Sequence, residues 1–261
     1  MNLVQGQSFR ALQELLQRSG LADELVKKLG KPDHPHLLLF MHVASEAEIP
    51  SSKQAFKKLL KHKEREVRFQ ALCALMEVYQ FNALEYIYEV GFKINEWEEM
   101  ILLEKILAYP GRNTLNLSLY LKSDNEQLVR LSIRIARNTN RYDLENELKE
   151  LLHHPNPSIR HRSYLAIGTL LMNDLEEEIT SSYHSETLQN KKAILRALED
   201  IGTTKSYPLL HEILTEVKGE VTVPAAKALY SIGGETAFEP LLAENDTMLK
   251  IIQHIQDPLL A

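Results

Sequence analysis

One cysteine, Cys73, stands in a chain of 261 residues, which excludes an intrachain disulfide and a cysteine-based metal cluster. It lies inside a helical pattern and reads as a buried small residue, not a nucleophile. Proline and glycine are also sparse, 10 of each and dispersed, too few for a long disordered linker. Neither sign of charge dominates: 30 basic residues face 36 acidic ones, for a formal net charge of -6. That balance disfavours nucleic acid as the main partner, because phosphate binding relies on concentrated cations. No apolar run approaches the roughly 18 residues of a bilayer span, and HLLLFMHVA, 36–44, is far too short. The opening MNLVQGQSFR lacks the basic segment and apolar run of a signal peptide. These absences predict a soluble, cytoplasmic chain; a soluble segment of a longer membrane protein stays open.

What the chain does contain is repetition. Val221 is followed at offsets 4, 7, 8 and 11 by Ala225, Ala228, Leu229 and Ile232. About 31 residues earlier, from Asn190, the same offsets hold Ile194, Ala197, Leu198 and Ile201. From Ile159 they hold Ser163, Ala166, Ile167 and Leu170; from Val129, Ile133 and Ala136; from Val67, Ala71, Ala74, Leu75 and Val78. A skipped unit fits weakly through Leu102 and Ile106. Apolar spacing of three, four and seven over runs of 10 to 15 residues predicts helices. A repeat of this length predicts stacked helical hairpins, none of which can bury both its faces alone. The small residues let neighbouring helices approach closely.

The first helix of each hairpin is predicted in SSKQAFKKLLKH, NALEYIYEVG, TLNLSLYLKS, YDLENELKELLHH, DLEEEITSSY, SYPLLHEILTEV and TAFEPLLAEN. Ser51 or Ser52, Asn82, Asn173, and Asn113 or Thr114 are their candidate caps. Two short helices before Pro32 form an N-terminal cap over 1–34. The solenoid then runs over 35–245, and a capping helix over 246–261 closes the chain.

The motifs EREVRFQALCALMEV, NEQLVRLSIRIA, PNPSIRHRSYLAIGTL and VPAAKALYSIGG resemble the HEAT-repeat, armadillo-like family. Val67-Arg68, Val129-Arg130 and Ile159-Arg160 match the family's apolar-Arg pair, and Gly168 and Gly233 its later glycine. Lys191 and Thr222 replace the arginine in the last two units. The resemblance covers about residues 36–245. It implies an all-α fold, a right-handed α-α superhelix of about seven hairpins, and says little about function.

Chemistry-bearing motifs are few. His34 and His36 flank Pro35, and His153 and His154 precede Pro155, without an HExxH or Cys/His pattern. Asp174, Glu176, Glu177 and Glu178 read as a solvated, dipole-favoured first helical turn. Trp97 reads as packing between repeats. There is no phosphate loop, nucleophile elbow or kinase signature. No catalytic, metal or cofactor residue is therefore named, and the chain is expected not to be an enzyme.

The faces of the second helices carry the functional expectation. Counting 100° per residue, offsets 2, 6 and 9 from each anchor point away from the core, toward a concave surface. They predict an apolar front, with Phe69, Met76, Leu131 and Ile135, and a basic back that begins near Gly168 with Lys192 and Arg196. Arg134, Arg137 and Arg162 add to the positive side; no acid lies between Val129 and Arg141. These nine residues are the candidate partner-binding site of a noncatalytic scaffold or adaptor. Its partner is expected to be another protein, through an acidic or amphipathic segment; peripheral attachment to an anionic membrane stays open. The alternatives are a structural subunit of a larger assembly, or the enzymes that share related repeats, a HEAT-like DNA glycosylase or a bilin lyase.

Overall fold

A computed structural model describes residues 7–108, 114–216, 219–242 and 246–256, and among them every regular element is helical, with no strand. The helices pack into two compact units, Met1–Asn116 and Leu117–Ala261. The division falls inside the 35–245 span, just after the weakly fitting repeat.

The first unit holds α1 (Gln7–Arg18), α2 (Leu21–Leu29), α3 (Leu37–Glu46), α4 (Lys53–Leu59), α5 (Arg65–Tyr79) and α6 (Glu96–Ala108). Helix α5 is its centre, packed by α3, α4, α6 and the segment Gln80–Tyr88. That segment is a 3-10 helix where an α-helix was expected. Leu84 and Ile87 are buried at a spacing of three, the period at which 3-10 side chains eclipse, and Val90 is buried just past its end.

The second unit holds α7 (Leu117–Leu121), α8 (Glu126–Asn138), α9 (Glu145–Leu151), α10 (Pro157–Thr169), α11 (Glu176–Ser182), α12 (Leu188–Ile201), α13 (Tyr207–Thr215), α14 (Thr222–Gly233), α15 (Glu239–Leu242) and α16 (Asp246–Gln256). Helices α8, α10, α12, α14 and α16 form a ladder, each against the next. The shorter helices cover them: α7 packs on α8, α9 on α10, α11 on α12 and α13 on α14. This is a helical-repeat arrangement. The anchored positions are its core: Ile133, Ala136, Ser163, Ala166, Ile167, Ile194, Ala197, Leu198, Ala225, Ala228 and Leu229 are all buried. Gly168 is needed for the tightest step, since a Cβ there would lie 2.7 Å from the Cα of Ala197 on α12.

Local signals start and stop these helices. Asn125 and Asn156 accept from N–H groups in the first turns of α8 and α10, and Thr187 does so for α12. These three caps belong to second helices, while Thr203 accepts from Lys205 N–H before the first helix α13. Ser52 instead donates to the carbonyl of Ile49 at 2.6 Å, and Asn113 lies outside the described residues. Helices α8 and α10 end alike. Asn140 and Leu171 take a left-handed φ, of 52° and 53°, while Arg141 N–H reaches Ala136 O and Met172 N–H reaches Ile167 O.

The sequence period reappears in the polar links between elements. His62 meets Pro32 O across 30 residues, Arg65 reaches Glu98 across 33, Ser118 reaches Glu147 across 29 and Asn190 reaches Pro157 O across 33. Each link joins one repeat to the next within a single unit.

Candidate functional site

The apolar half of the expected site is closed. Phe69 and Met76 are each 6% exposed, Leu131 1% and Ile135 0%. For α5 the reason is geometric: four elements surround it, so residues 71–76 are all buried and no concave side is left open. In α8 the outward phase differs by one residue from the one expected. Leu128, Val129, Leu131, Ser132, Ile133, Ile135 and Ala136 are buried. Arg130, Arg134 and Arg137 lie on the remaining side. Their spacing of four and three is a single helical stripe, readable from the chain once α8 is phased by its own residues and not by the anchor, and Arg141 lies past the helix end.

The basic half separates into two kinds of cation. Lys192 pairs with Glu220, and Arg196 with Glu199 at 2.8 Å and Asp200 at 3.7 Å. Arg141 pairs with Asp143 at 2.6 Å. Arg160 donates to both carboxylate oxygens of Glu186, at 2.5 and 2.9 Å, and to the carbonyl of His154 at 2.8 Å. Arg68 reaches the carbonyl of His62 in the same way at 3.1 Å. The arginine of the apolar-Arg pair therefore ties its own turn in both repeats.

Glu186 is the most heavily matched acid of this network. It also accepts from the Tyr164 hydroxyl at 3.0 Å and the Asn190 amide at 2.8 Å. Burial alone would raise its carboxyl, but the hydrogen bonds from Arg160, Asn190 and Tyr164 outweigh it and hold the group at about 2. Burial pushes the Tyr164 hydroxyl itself up to about 12.

Arg137 is in a different setting. It is half-buried in the last turn of α8, and its Nε is buried with no hydrogen-bond partner. Burial lowers its affinity for the proton, and Arg134, one turn back, and Arg162, on α10, lower it further. The charges acting on Arg137 among the described residues are thus both positive. Arg134 and Arg137 of the nine candidate residues share this face of α8, and Arg162 lies on α10, which packs against α8. The C-terminal end of α8 favours a cation by about 0.3–1 kcal/mol, which offsets part of the repulsion.

Other readings are changed by the geometry. Trp97 is 69% exposed at the start of α6, beside exposed Met100, so it does not pack between repeats. Of the acidic run, Glu176 is buried. It accepts from Thr203 N–H at 2.7 Å, Thr203 Oγ1 at 2.9 Å and Ser206 Oγ at 2.6 Å, and so fixes the start of the next hairpin. Nothing local marks it, since its donors lie 27 to 30 residues away. Cys73 is buried, and that burial pushes its thiol up to about 12.

Three of the histidines serve turns. Nδ1 of His34, His62 and His154 accepts the backbone N–H two residues on, at 3.0–3.1 Å. An open cavity of about 430 Å³ is lined by His34, His36, His62 and Lys63. Among the described residues no group of three or more His, Cys, Asp or Glu side chains is placed to share a metal ion. Nor is any described helix long and apolar enough to cross a membrane. No protein-family model matches the chain, and no curated protein matches it either.

Proposed function

We propose that this chain is a noncatalytic scaffold or adaptor, a HEAT-like right-handed solenoid of about seven hairpins that holds an acidic segment of another protein. The contact is the arginine face of α8 with Arg162 of α10. The observation that carries this reading is the face of α8 that its buried residues leave over, where Arg130, Arg134 and Arg137 lie half-buried in one row. Like charges gathered at a protein surface raise the local potential and attract an anion. An acidic segment laid across the stripe relieves the repulsion and supplies acceptors to the guanidinium forks. Phe69, Met76, Leu131 and Ile135 act in this reading as the support that fixes the helices, not as contacts.

Fluorescence anisotropy with a library of acidic peptides, at low and at moderate salt, tests it. Binding is expected, weaker at the higher salt and lost in Arg134→Glu. The Arg18→Glu variant, which alters an exposed pair on α1, is expected to leave it unchanged. Absence of peptide binding, or binding indifferent to Arg134→Glu, removes the proposal.

A further inference from the structure

We infer that the outward side of α6, built on Trp97 and Met100, is a docking surface for a basic amphipathic helix of a partner protein. It belongs to the first unit, whereas the arginine face of α8 belongs to the second, and it takes a segment of opposite charge. The two surfaces can be lost separately.

Helix α6 is apolar on two sides. Leu102, Leu103 and Ile106 are buried, and α6 packs against α5. On the other side Trp97 and Met100 are exposed, and Ile101 and Leu107 are half-buried. Counting 100° per residue, these four fall with Glu104 and Ala108 within about a third of the helix circumference. A helix that is apolar all round belongs in an interior, whereas a surface helix keeps its outer side polar. Helix α8 follows this rule with Arg130, Arg134 and Arg137; α6 does not. Its Trp97, the one tryptophan of the chain, leaves most of a large apolar ring in water. Contiguous exposed apolar side chains rimmed by polar ones mark an interaction surface. Tryptophan is also among the residues that most often dominate the energy of such a surface.

The charges on this side select the occupant. Glu104 lies inside the apolar sector and Glu96 beside it, both exposed. Lys105, on the flank, is turned to Glu77 of α5. A segment seated here meets carboxylates, so basic residues on it are complementary. The row Trp97, Met100, Glu104 follows the spacing of three and four that forms the ridges against which a second helix packs. A second copy of the chain fits poorly, because a two-fold pairing of α6 with itself sets like charges together. Centred on Met100, the antiparallel pairing opposes Glu96 to Glu104, and the parallel pairing opposes Glu96 to Glu96. An anionic membrane surface is repelled by the same carboxylates.

The test uses the full chain and two libraries of labelled, tryptophan-free amphipathic helical peptides. The libraries share their apolar residues, spaced by three and four, and carry either lysine or glutamate beside them. Fluorescence anisotropy at low salt is expected to show the lysine library binding about tenfold or more tightly than the glutamate library. The double variant Glu96→Lys, Glu104→Lys is expected to lose that preference. Trp97→Ala is expected to weaken binding about 30-fold or more with unchanged circular dichroism, and Trp97→Phe, which keeps an aromatic ring, to weaken it less. Trp97 also reports through its own emission, being the one tryptophan. That emission is expected to be red-shifted and open to acrylamide quenching in the free chain, then blue-shifted and shielded once a lysine peptide is seated. Failure of the lysine library to bind, equal binding of the two libraries, or binding indifferent to Trp97→Ala would overturn the inference. Emission already shielded in the dilute free chain means that the chain itself covers this side, and overturns it as well. Shielding that grows with protein concentration, together with a dimer in sedimentation, assigns the surface to a second copy and rejects the partner helix. Tighter binding to phosphatidylserine vesicles than to the lysine peptides rejects it in favour of a membrane.

Discussion

Arg160 and Arg137 sit on neighbouring helices of one ladder and meet opposite fates. Arg160 has a carboxylate across two of its three donor nitrogens, and the third donates to the carbonyls of His154 and Pro155. Arg137 has two cations acting on it and a buried Nε without a partner. The residue type is the same and the burial similar, so the difference lies in what the next repeat contributes. Opposite Arg160 it supplies Glu186; toward Arg137 it supplies Arg162. The first arrangement closes within the protein. The second gathers like charges on neighbouring helices.

Substitutions that separate the two settings should rank by how completely the partners are matched. Glu186→Gln leaves Arg160 charged and largely buried against an amide. It is expected to lower stability by about 3 kcal/mol, read from urea unfolding at neutral pH. The same variant should flatten the acid limb of stability against pH. Because the folded carboxyl titrates near 2 and its ordinary value is 4.5, its contribution is complete above 4.5 and fades as pH falls toward 2. An unchanged acid limb contradicts the assigned role. Glu176→Gln extends the test to the next repeat, where three donors face one carboxylate. A loss of about 2 kcal/mol is expected, since an amide cannot accept from all of them. Tyr164→Phe removes one of the donors to Glu186 and leaves the others, for a loss of about 1 kcal/mol. Arg137→Gln comes last: its effect should stay within about 0.5 kcal/mol and lie on the stabilising side. A loss as large as that of Glu186→Gln would make Arg137 a structural group and erase the contrast.

The sequence made the repeat legible because small and apolar residues at fixed offsets mark where helices touch. Ala197, Ala228 and Ile133 are buried as their spacing demands. The outer face was less legible. Offsets 2, 6 and 9 assume that each second helix has neighbours on one side only, whereas α5 is packed by four elements and α8 is turned by its own arginines. The arginine stripe was visible as a spacing of four and three from Arg130 to Arg137, yet what faces an arginine across the ladder depends on the following repeat, as Arg160 and Glu186 show. Glu176 was misread for the same reason: its donors are long-range, and a run of carboxylates at a helix start has an adequate local explanation. Trp97 failed differently, because tryptophan usually packs and nothing in NEWEEM signals that this one faces water.

The links that span one period also limit how such a chain can change by duplication and loss. Glu176 is solvated by Thr203 and Ser206 of the following hairpin, and Glu186 reaches back to Arg160 of the preceding one. A repeat excised from this stretch would leave an acid without its donors on one side of the cut and an arginine without its acid on the other. Adjacent units are therefore coupled in pairs, and a deletion that respects the repeat spacing keeps these bonds only when it removes both members of each.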